Sequence, residues 1–248
     1  MIENHFTKHA DIDKSEIFFK SFTQQVYVYT ASANWICIKG NVEMRGIMIV
    51  TRIEPVDKTK FKIYIDDEYQ FILYQKDINM YDLEEGKEIT DLEHQTILVD
   101  TVIRRGKQKA LALLKFMDRT ESELVLKLQQ AGYAAPIVDL IINYVKGYRY
   151  IDDLRYAINY VKSRKESKSK TVLKMELKQK GVPSEYINQA FEEEYKEGLD
   201  EEIAILKHIS KKVKDLNNIT KEEKVKVSSF LYRKGFSYDT IKKYLNYR

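Results

Sequence analysis

Residues 122–142 (SELVLKLQQAGYAAPIVDLII), 171–191 (TVLKMELKQKGVPSEYINQAF) and 225–245 (VKVSSFLYRKGFSYDTIKKYL) are three degenerate copies of one pattern. Each reads as an amphipathic helix, a glycine with an apolar partner, then a second short amphipathic helix. Aligned on Gly132, Gly181 and Gly235, the apolar positions fall into register. Leu124, Leu173 and Val227 stand eight residues before the glycine, and Leu128, Leu177 and Leu231 stand four before it. Val138, Ile187 and Ile241 come six after it, and Ile142, Phe191 and Leu245 ten after. A spacing of four keeps one face of a helix apolar. The glycine sits where a helix C-terminus needs a residue free to take positive φ. Intervals of 49 and 54 residues suit a three-helix repeat. Such units stack on their neighbours and offer an extended surface, an architecture of binding proteins more than of enzymes.

Helix starts carry their own signatures. Thr120 with Glu123 and Thr220 with Glu223 have capping-box spacing. Asp152-Asp153 puts carboxylates at the positive start of a helix over 154–161, and Pro183-Ser184-Glu185 repeats the theme. Upstream the period changes. Residues 48–54, 61–65 and 69–74 read as three antiparallel strands, with turns at Pro55-Val56-Asp57-Lys58 and Asp66-Asp67-Glu68. Val26-Tyr27-Val28-Tyr29 and Trp35–Ile38 are strand-like within an otherwise irregular start. Ile78, Tyr81 and Leu83 mark a short helical element ending near Gly86. Thr90 is placed to cap a long helix with Leu92, Ile97, Val99 or Val102, Ile103, Ala110, Leu113 and Leu114 as its apolar residues, and Gly106 stands in it as an interruption.

The expected fold is mainly α: tandem three-helix repeats forming an elongated curved solenoid, preceded by a small antiparallel β-meander. The domains are an unassigned N-terminal extension over 1–47, the meander over 48–89, and helical repeats over 90–148, 149–197 and 198–248. At 248 residues the chain can bury a real core. Hydrophobic residues make 44% of it and charged residues 32%, as in a highly charged globular protein. No apolar run approaches the ~20 residues of a membrane span, and the N-terminus lacks a signal-peptide core. One cysteine, Cys37, excludes an intrachain disulfide framework and fits a reducing compartment, so the cytoplasm is the expected location.

Net charge is only +4, but it is unevenly spread. Residues 162–180 are rich in lysine and arginine, an acidic block runs from Glu192 to Glu202, and Lys and Arg return from Lys207 onward, including Lys214 and Arg248. A solvated helix face accounts for any one such run. Alternating blocks along a repeat protein suggest a polarised surface with separate contacts for differently charged partners. Tyrosines cluster beside basic residues, at Tyr144, Tyr148, Arg149, Tyr150, Arg155, Tyr156 and Tyr160, then at Tyr232, Arg233, Tyr244, Tyr247 and Arg248. That pairing suits protein interfaces and stacking on single-stranded nucleic acid, and also the plain filling of half-buried helix faces.

Catalytic signatures are missing. There is no phosphate-cradling glycine loop and no nucleophile elbow. His5, His9, His94 and His208 lack metal spacing, so no metal or cofactor is expected. Asp66-Asp67 and Asp152-Asp153 could bind a divalent cation, but turn and cap roles already account for them.

Residues 147–157 (GYRYIDDLRYA) resemble the signature of the RecX family of bacterial recombinase regulators. In that family a leucine-rich, Arg-Ser/Thr-Glu-x-Glu-Leu helix precedes the signature. Ala110-Leu111, Leu113-Leu114 and Arg119-Thr120-Glu121-Ser122-Glu123-Leu124 match it here. Arg164 and Glu176-Leu177-Lys178-Gln179-Lys180-Gly181 match the stretch that follows. The meander looks like the extension of longer, Gram-positive-type members. The resemblance covers about residues 48–248; Leu154 and the third repeat depart from the pattern, and residues 1–47 stand outside it. It implies a non-enzymatic modulator that lodges in the groove of the RecA–single-stranded DNA filament, blocks extension, and lowers ATP hydrolysis and strand exchange, as a monomer with no membrane association. Arg149, Tyr150, Asp152, Asp153, Arg155 and Tyr156 are then expected to contact the filament. Lys168, Lys170, Lys174, Lys211 and Lys212 are expected to contact DNA. The competing reading is a helical regulator that binds nucleic acid directly without RecA, although no recognition helix of a helix-turn-helix stands out.

Overall fold

A computed structural model describes residues 46–196, 198–213 and 219–246, with the backbone of 19–22, 25–29 and 35–38. Most of the 1–47 extension, and Glu197, Lys214, Tyr247 and Arg248, lie outside the described residues. The chain forms two compact units, residues 1–102 and 103–248.

The first unit is built on strands. β1 (Phe19–Phe22), β2 (Gln25–Tyr29) and β3 (Trp35–Ile38) pair antiparallel in that order. A second sheet holds β4 (Ile47–Pro55), β5 (Lys60–Ile65) and β6 (Glu68–Tyr74), the expected meander. After α1 (Gln75–Met80) a fourth strand, β7 (Glu88–Thr90), pairs with the start of β4, giving the order β6-β5-β4-β7. β7 is only three residues long and has no strand-like run of its own, so pairing to Ile47–Ile49 decides it. Val50, Ile63, Ile65, Phe71, Leu73 and Ile89 supply the buried face. The Asp66-Asp67 turn takes positive φ at both residues, and Asp66 Oδ1 accepts the Ile49 N–H at 3.0 Å.

Thr90 caps α2 (Asp91–Thr96) as expected, and does so through a reciprocal box with Glu93, at 3.2 and 2.7 Å. The helix is not uniform, however. Residues Ile97–Ile103 form a wider π-helical segment before α3 (Arg104–Phe116). Gly106 does not interrupt α3: it is buried inside it, and a Cβ there would overlap Ile141 Cδ1. Its role is close approach between helices rather than a break. Leu92, expected on the apolar face, is 77% exposed.

The second unit consists of three three-helix repeats. Repeat 1 has α3, α4 (Glu121–Gln130) and α5 (Ala135–Gly147). Repeat 2 has α6 (Asp153–Arg164), α7 (Lys170–Gln179) and α8 (Ser184–Glu194). Repeat 3 has α9 (Leu199–Ser210), α10 (Lys221–Arg233) and α11 (Tyr238–Asn246). All twelve aligned apolar residues are buried, none more than 6% exposed. They lie in separate cores: Leu173, Leu177, Ile187 and Phe191 with Ala157, Tyr160 and Val161 in repeat 2, and Val227, Leu231, Ile241 and Leu245 with Ala204, Ile205 and Phe236 in repeat 3.

Each middle helix ends in the same way. Gly132, Gly181 and Gly235 take φ of 88°, 77° and 79°, and the following N–H reaches back to Leu128, Leu177 and Leu231 at 3.1–3.3 Å. This is the Schellman closure, in which a left-handed residue turns two N–H groups onto carbonyls the helix leaves unpaired.

These closures also join the repeats. The Thr120 hydroxyl caps α4 by accepting the Glu123 N–H at 3.2 Å and donates to the Lys180 carbonyl, beside Gly181, at 2.5 Å. Lys180 Nζ meets Glu123 Oε1 at 2.7 Å across the same junction. One repeat further, the buried Ser169 hydroxyl caps α7 and donates to the Lys234 carbonyl, beside Gly235, at 2.8 Å. The starts of α4 and α7 therefore meet the ends of α7 and α10, the middle helices of the next repeats. In repeat 3, α10 is 13 residues long against 10 for α4 and α7, and Thr220 caps it through the expected box with Glu223.

Candidate partner and nucleic-acid interface

The α5–α6 turn carries the first set of expected contact residues. Asp152 is the N-cap of α6, its carboxylate accepting the Arg155 N–H at 2.9 Å. Asp153 is buried and reaches back to repeat 1, accepting the Glu121 N–H at 2.9 Å, and burial holds its carboxyl above the usual range. Glu121 in turn pairs with Lys146 at 2.7 Å. Tyr156 packs against the repeat 2 core and stacks on Tyr160 at 6.0 Å. Arg149, Tyr150 and Arg155 remain exposed. Among the described residues, neither guanidinium has a hydrogen-bond or ion-pair partner. The six residues thus divide into three that build the turn and three that face outward.

Arg149 closes α5 by the bonds that elsewhere use glycine: its N–H reaches Lys146 O at 2.8 Å, and the Tyr150 N–H reaches Val145 O at 2.9 Å. Its φ is +57°, a left-handed conformation that costs a side-chain-bearing residue about 1 kcal/mol or more relative to glycine. Gly147, two residues earlier, does not take this position. Around Arg149 three tyrosines form a series of rings. Tyr144 and Tyr148 are 4.9 Å apart, Tyr148 and Tyr150 are 6.0 Å apart at 30°, and Lys107 Nζ lies 4.4 Å over Tyr144. Tyr144 and Tyr148 belong to the tyrosine-rich stretch visible in the sequence. Lys107 arrives from α3 and has no sequence signal that links it to them.

The second set lies on repeats 2 and 3. Lys168 does not stand free: it is bound to Glu176 at 2.5 Å, and Glu176 also accepts the Tyr160 hydroxyl at 2.8 Å. Lys170 sits 5.6 Å over Tyr195, Lys174 5.3 Å over Phe191, and Lys212 5.1 Å over Phe230. Lys211 is exposed at the end of α9. The junction brings the two lysine groups together, because His208 on α9 donates from Nε2 to the Ser167 carbonyl at 3.0 Å. Burial depresses the His208 imidazole, and the charges of Lys234, Lys211 and Lys207 depress it further. These neighbours come from separate helices, so sequence spacing does not reveal them. Lys165 holds the same junction from below. Its ammonium donates to the Glu194 carbonyl at 2.5 Å and pairs with buried Asp200 at 3.5 Å.

Burial and the Glu176 carboxylate push the Tyr160 phenol up to about 12. A phenol of ordinary pKa about 10 in the unfolded chain then ionises first there. The contribution is present below pH 10 and lost as pH rises toward about 12. We expect an alkaline loss of stability across that window in the helical unit, followed by circular dichroism, and its reduction in Tyr160→Phe.

Among the described residues no three His, Cys, Asp or Glu side chains gather as a metal site, and no helix is long and apolar enough to cross a membrane. Family models match the three repeats in order: "RecX, first three-helix domain" over 107–144, "RecX, second three-helix domain" over 152–190 and "RecX, third three-helix domain" over 200–245. Regulatory protein RecX of Bacillus pumilus is 33% identical over 189 residues, 75% of this chain and 71% of that protein. Its namesake in Clostridium acetobutylicum is 30% identical over 201 residues, 77% of this chain and 92% of that protein. A crystal structure of regulatory protein RecX shares the fold, with a TM-score of 0.53 and 24% identity over 80% of this chain and 98% of that one.

Proposed function

Because the chain belongs to the RecX family of regulatory proteins, we propose that it is a non-enzymatic regulator of the RecA recombinase. It binds the groove of the RecA–single-stranded DNA filament and inhibits filament extension, ATP hydrolysis and strand exchange. The observation that supports this reading best is the succession of three three-helix domains, each with its own core, joined by a repeated hydroxyl-to-carbonyl contact. A series of like units suits a partner that is itself a polymer of like protomers. Affinity for the filament over free RecA shifts the assembly equilibrium by the difference between the two.

In this reading Arg149, Tyr150 and Arg155 touch the filament, while Asp152, Asp153 and Tyr156 hold the turn that presents them. Lys170, Lys174, Lys211 and Lys212 meet DNA phosphates, and Lys168 does so in exchange for Glu176. The protein works as a cytoplasmic monomer and needs no cofactor.

The test is RecA ATPase on single-stranded DNA with the protein titrated in. Inhibition is expected well below one protein per RecA. Charge reversal of Lys174, Lys211 and Lys212 should weaken it and flatten its salt dependence, by about 0.7 in the log–log slope for each single-strand phosphate no longer neutralised. No effect up to stoichiometric protein removes the recombinase reading. Tight, sequence-specific duplex binding without RecA establishes the direct regulator instead.

A further inference from the structure

We propose that the Tyr148–Tyr150 face of the α5–α6 turn is a stacking platform for the bases of single-stranded nucleic acid, with Arg149 and Arg155 taking the adjoining phosphates. The inference deepens the filament reading by naming which component of the filament this turn meets.

Four observations carry it. First, the two rings lie within 30° of parallel and the two residues are 44% and 50% exposed, so a stacked aromatic pair stands at the surface. Among the described residues, neither hydroxyl has a hydrogen-bond partner that would tie its ring down. Second, residues 146–150 (Lys-Gly-Tyr-Arg-Tyr) are five consecutive exposed positions without one aliphatic side chain. A protein interface centres on a dry apolar core, whereas base stacking needs only ring faces and cations. Third, the carboxylates of the neighbourhood already have partners: Asp152 the Arg155 N–H, Asp153 the Glu121 N–H, and Glu121 the Lys146 ammonium. The charged side chains of this turn left without a partner among the described residues are Arg149 and Arg155, which suits a polyanion. Fourth, the α5 closure keeps an arginine in a left-handed conformation that three other helix ends give to glycine. Strain of this kind gathers at functional sites, and here it falls on the exposed arginine that stands between the two tyrosines in the chain. Because every base has a π-face, the platform accepts any sequence.

The experiment compares binding of a fluorescent dT 12-mer and an abasic 12-mer of the same backbone, without RecA, by anisotropy at low salt. The wild-type protein should favour the dT strand by about tenfold or more, the size expected for one or two stacked bases. Tyr148→Ala/Tyr150→Ala should bind both strands with the affinity the wild type shows for the abasic one. Arg149→Gly relieves the left-handed backbone, so it should fold at least as stably while weakening both strands and lowering the salt slope by about 0.7. Equal wild-type affinity for the two strands overturns the proposal. So does a tyrosine variant that binds oligonucleotides normally yet no longer inhibits RecA ATPase, since that outcome assigns the rings to a protein contact. Base preference with no effect on RecA ATPase supports the platform and removes the filament reading alone.

Discussion

Gly181→Ala is expected to destabilise the helical unit by about 2–5 kcal/mol, combining a left-handed alanine at about 1–2 with overpacking at about 1–3. The backbone at Gly181 has a φ of 77°, and a Cβ there would overlap both the Cβ and the Oγ of Ser122. Both atoms sit in the first turn of α4, next to the Thr120 hydroxyl that donates to the Lys180 carbonyl. The methyl group therefore does two things at once: it strains the closure of α7 and pushes repeat 2 away from repeat 1. Gly86→Ala and Gly198→Ala separate these terms. Their φ values are 86° and 85°, yet nothing lies within 4 Å of a Cβ at either. They should cost only the conformational part, about 1–2 kcal/mol. Urea denaturation of the three variants checks the ordering, and adding Ser122→Gly to Gly181→Ala should recover the overpacking part. Equal losses at Gly181 and Gly198 would sink the idea of a junction built on close approach.

Lys165→Met should cost about 3–5 kcal/mol, the usual result of removing one partner from a buried ion pair. The Asp200 side chain is 5% exposed and that of Lys165 18%, so water cannot replace the missing ammonium at the carboxylate. The same ammonium satisfies the Glu194 carbonyl at the end of α8. Asp200 also accepts the Lys196 N–H at 2.7 Å, which ties the carboxylate to the segment leading into α9. The variant thus loosens the attachment of repeat 3 to repeat 2. Lys165→Met/Asp200→Asn removes the stranded charge and keeps an acceptor for Lys196, so it should regain most of the loss. Thermal unfolding of the single and double variants measures this; a double variant no more stable than the single one would show that the charge was not the cause.

Much of the helical unit was legible because its information is local. A period of four around a glycine specifies two helix faces and the turn between them within some twenty residues, and all twelve positions read this way are buried. Capping boxes at Thr120 and Thr220 are equally local, a hydroxyl and a carboxylate three residues apart. The meander was readable for the same reason. β7 was not, since three residues hold no period, and the π-helical segment was not, since its apolar residues fit an ordinary helix equally well.

The interface is where reading residue types reaches its limit. Lys168 looks like its neighbours in a basic run, and only folding brings Glu176 against it. Asp152 and Asp153 read as helix-start carboxylates, and Asp152 does cap its own helix, but only folding brings Asp153 onto the Glu121 N–H across a repeat boundary. Arg149 is opposite in kind: the residue type argues against a left-handed turn, and the closure of α5 imposes one.

By itself, then, the sequence determined the repeat, its period, the faces its helices bury and the glycines that close them, because each depends on residues within one or two turns of each other. The tertiary structure alone decided how repeats join, with Thr120 meeting Lys180, Ser169 meeting Lys234 and Lys165 meeting Asp200, and which cations and rings face outward. Those outcomes depend on where packing of the cores brings helix ends thirty to sixty-five residues apart, and hydrogen bonds made at that distance leave no mark on local spacing.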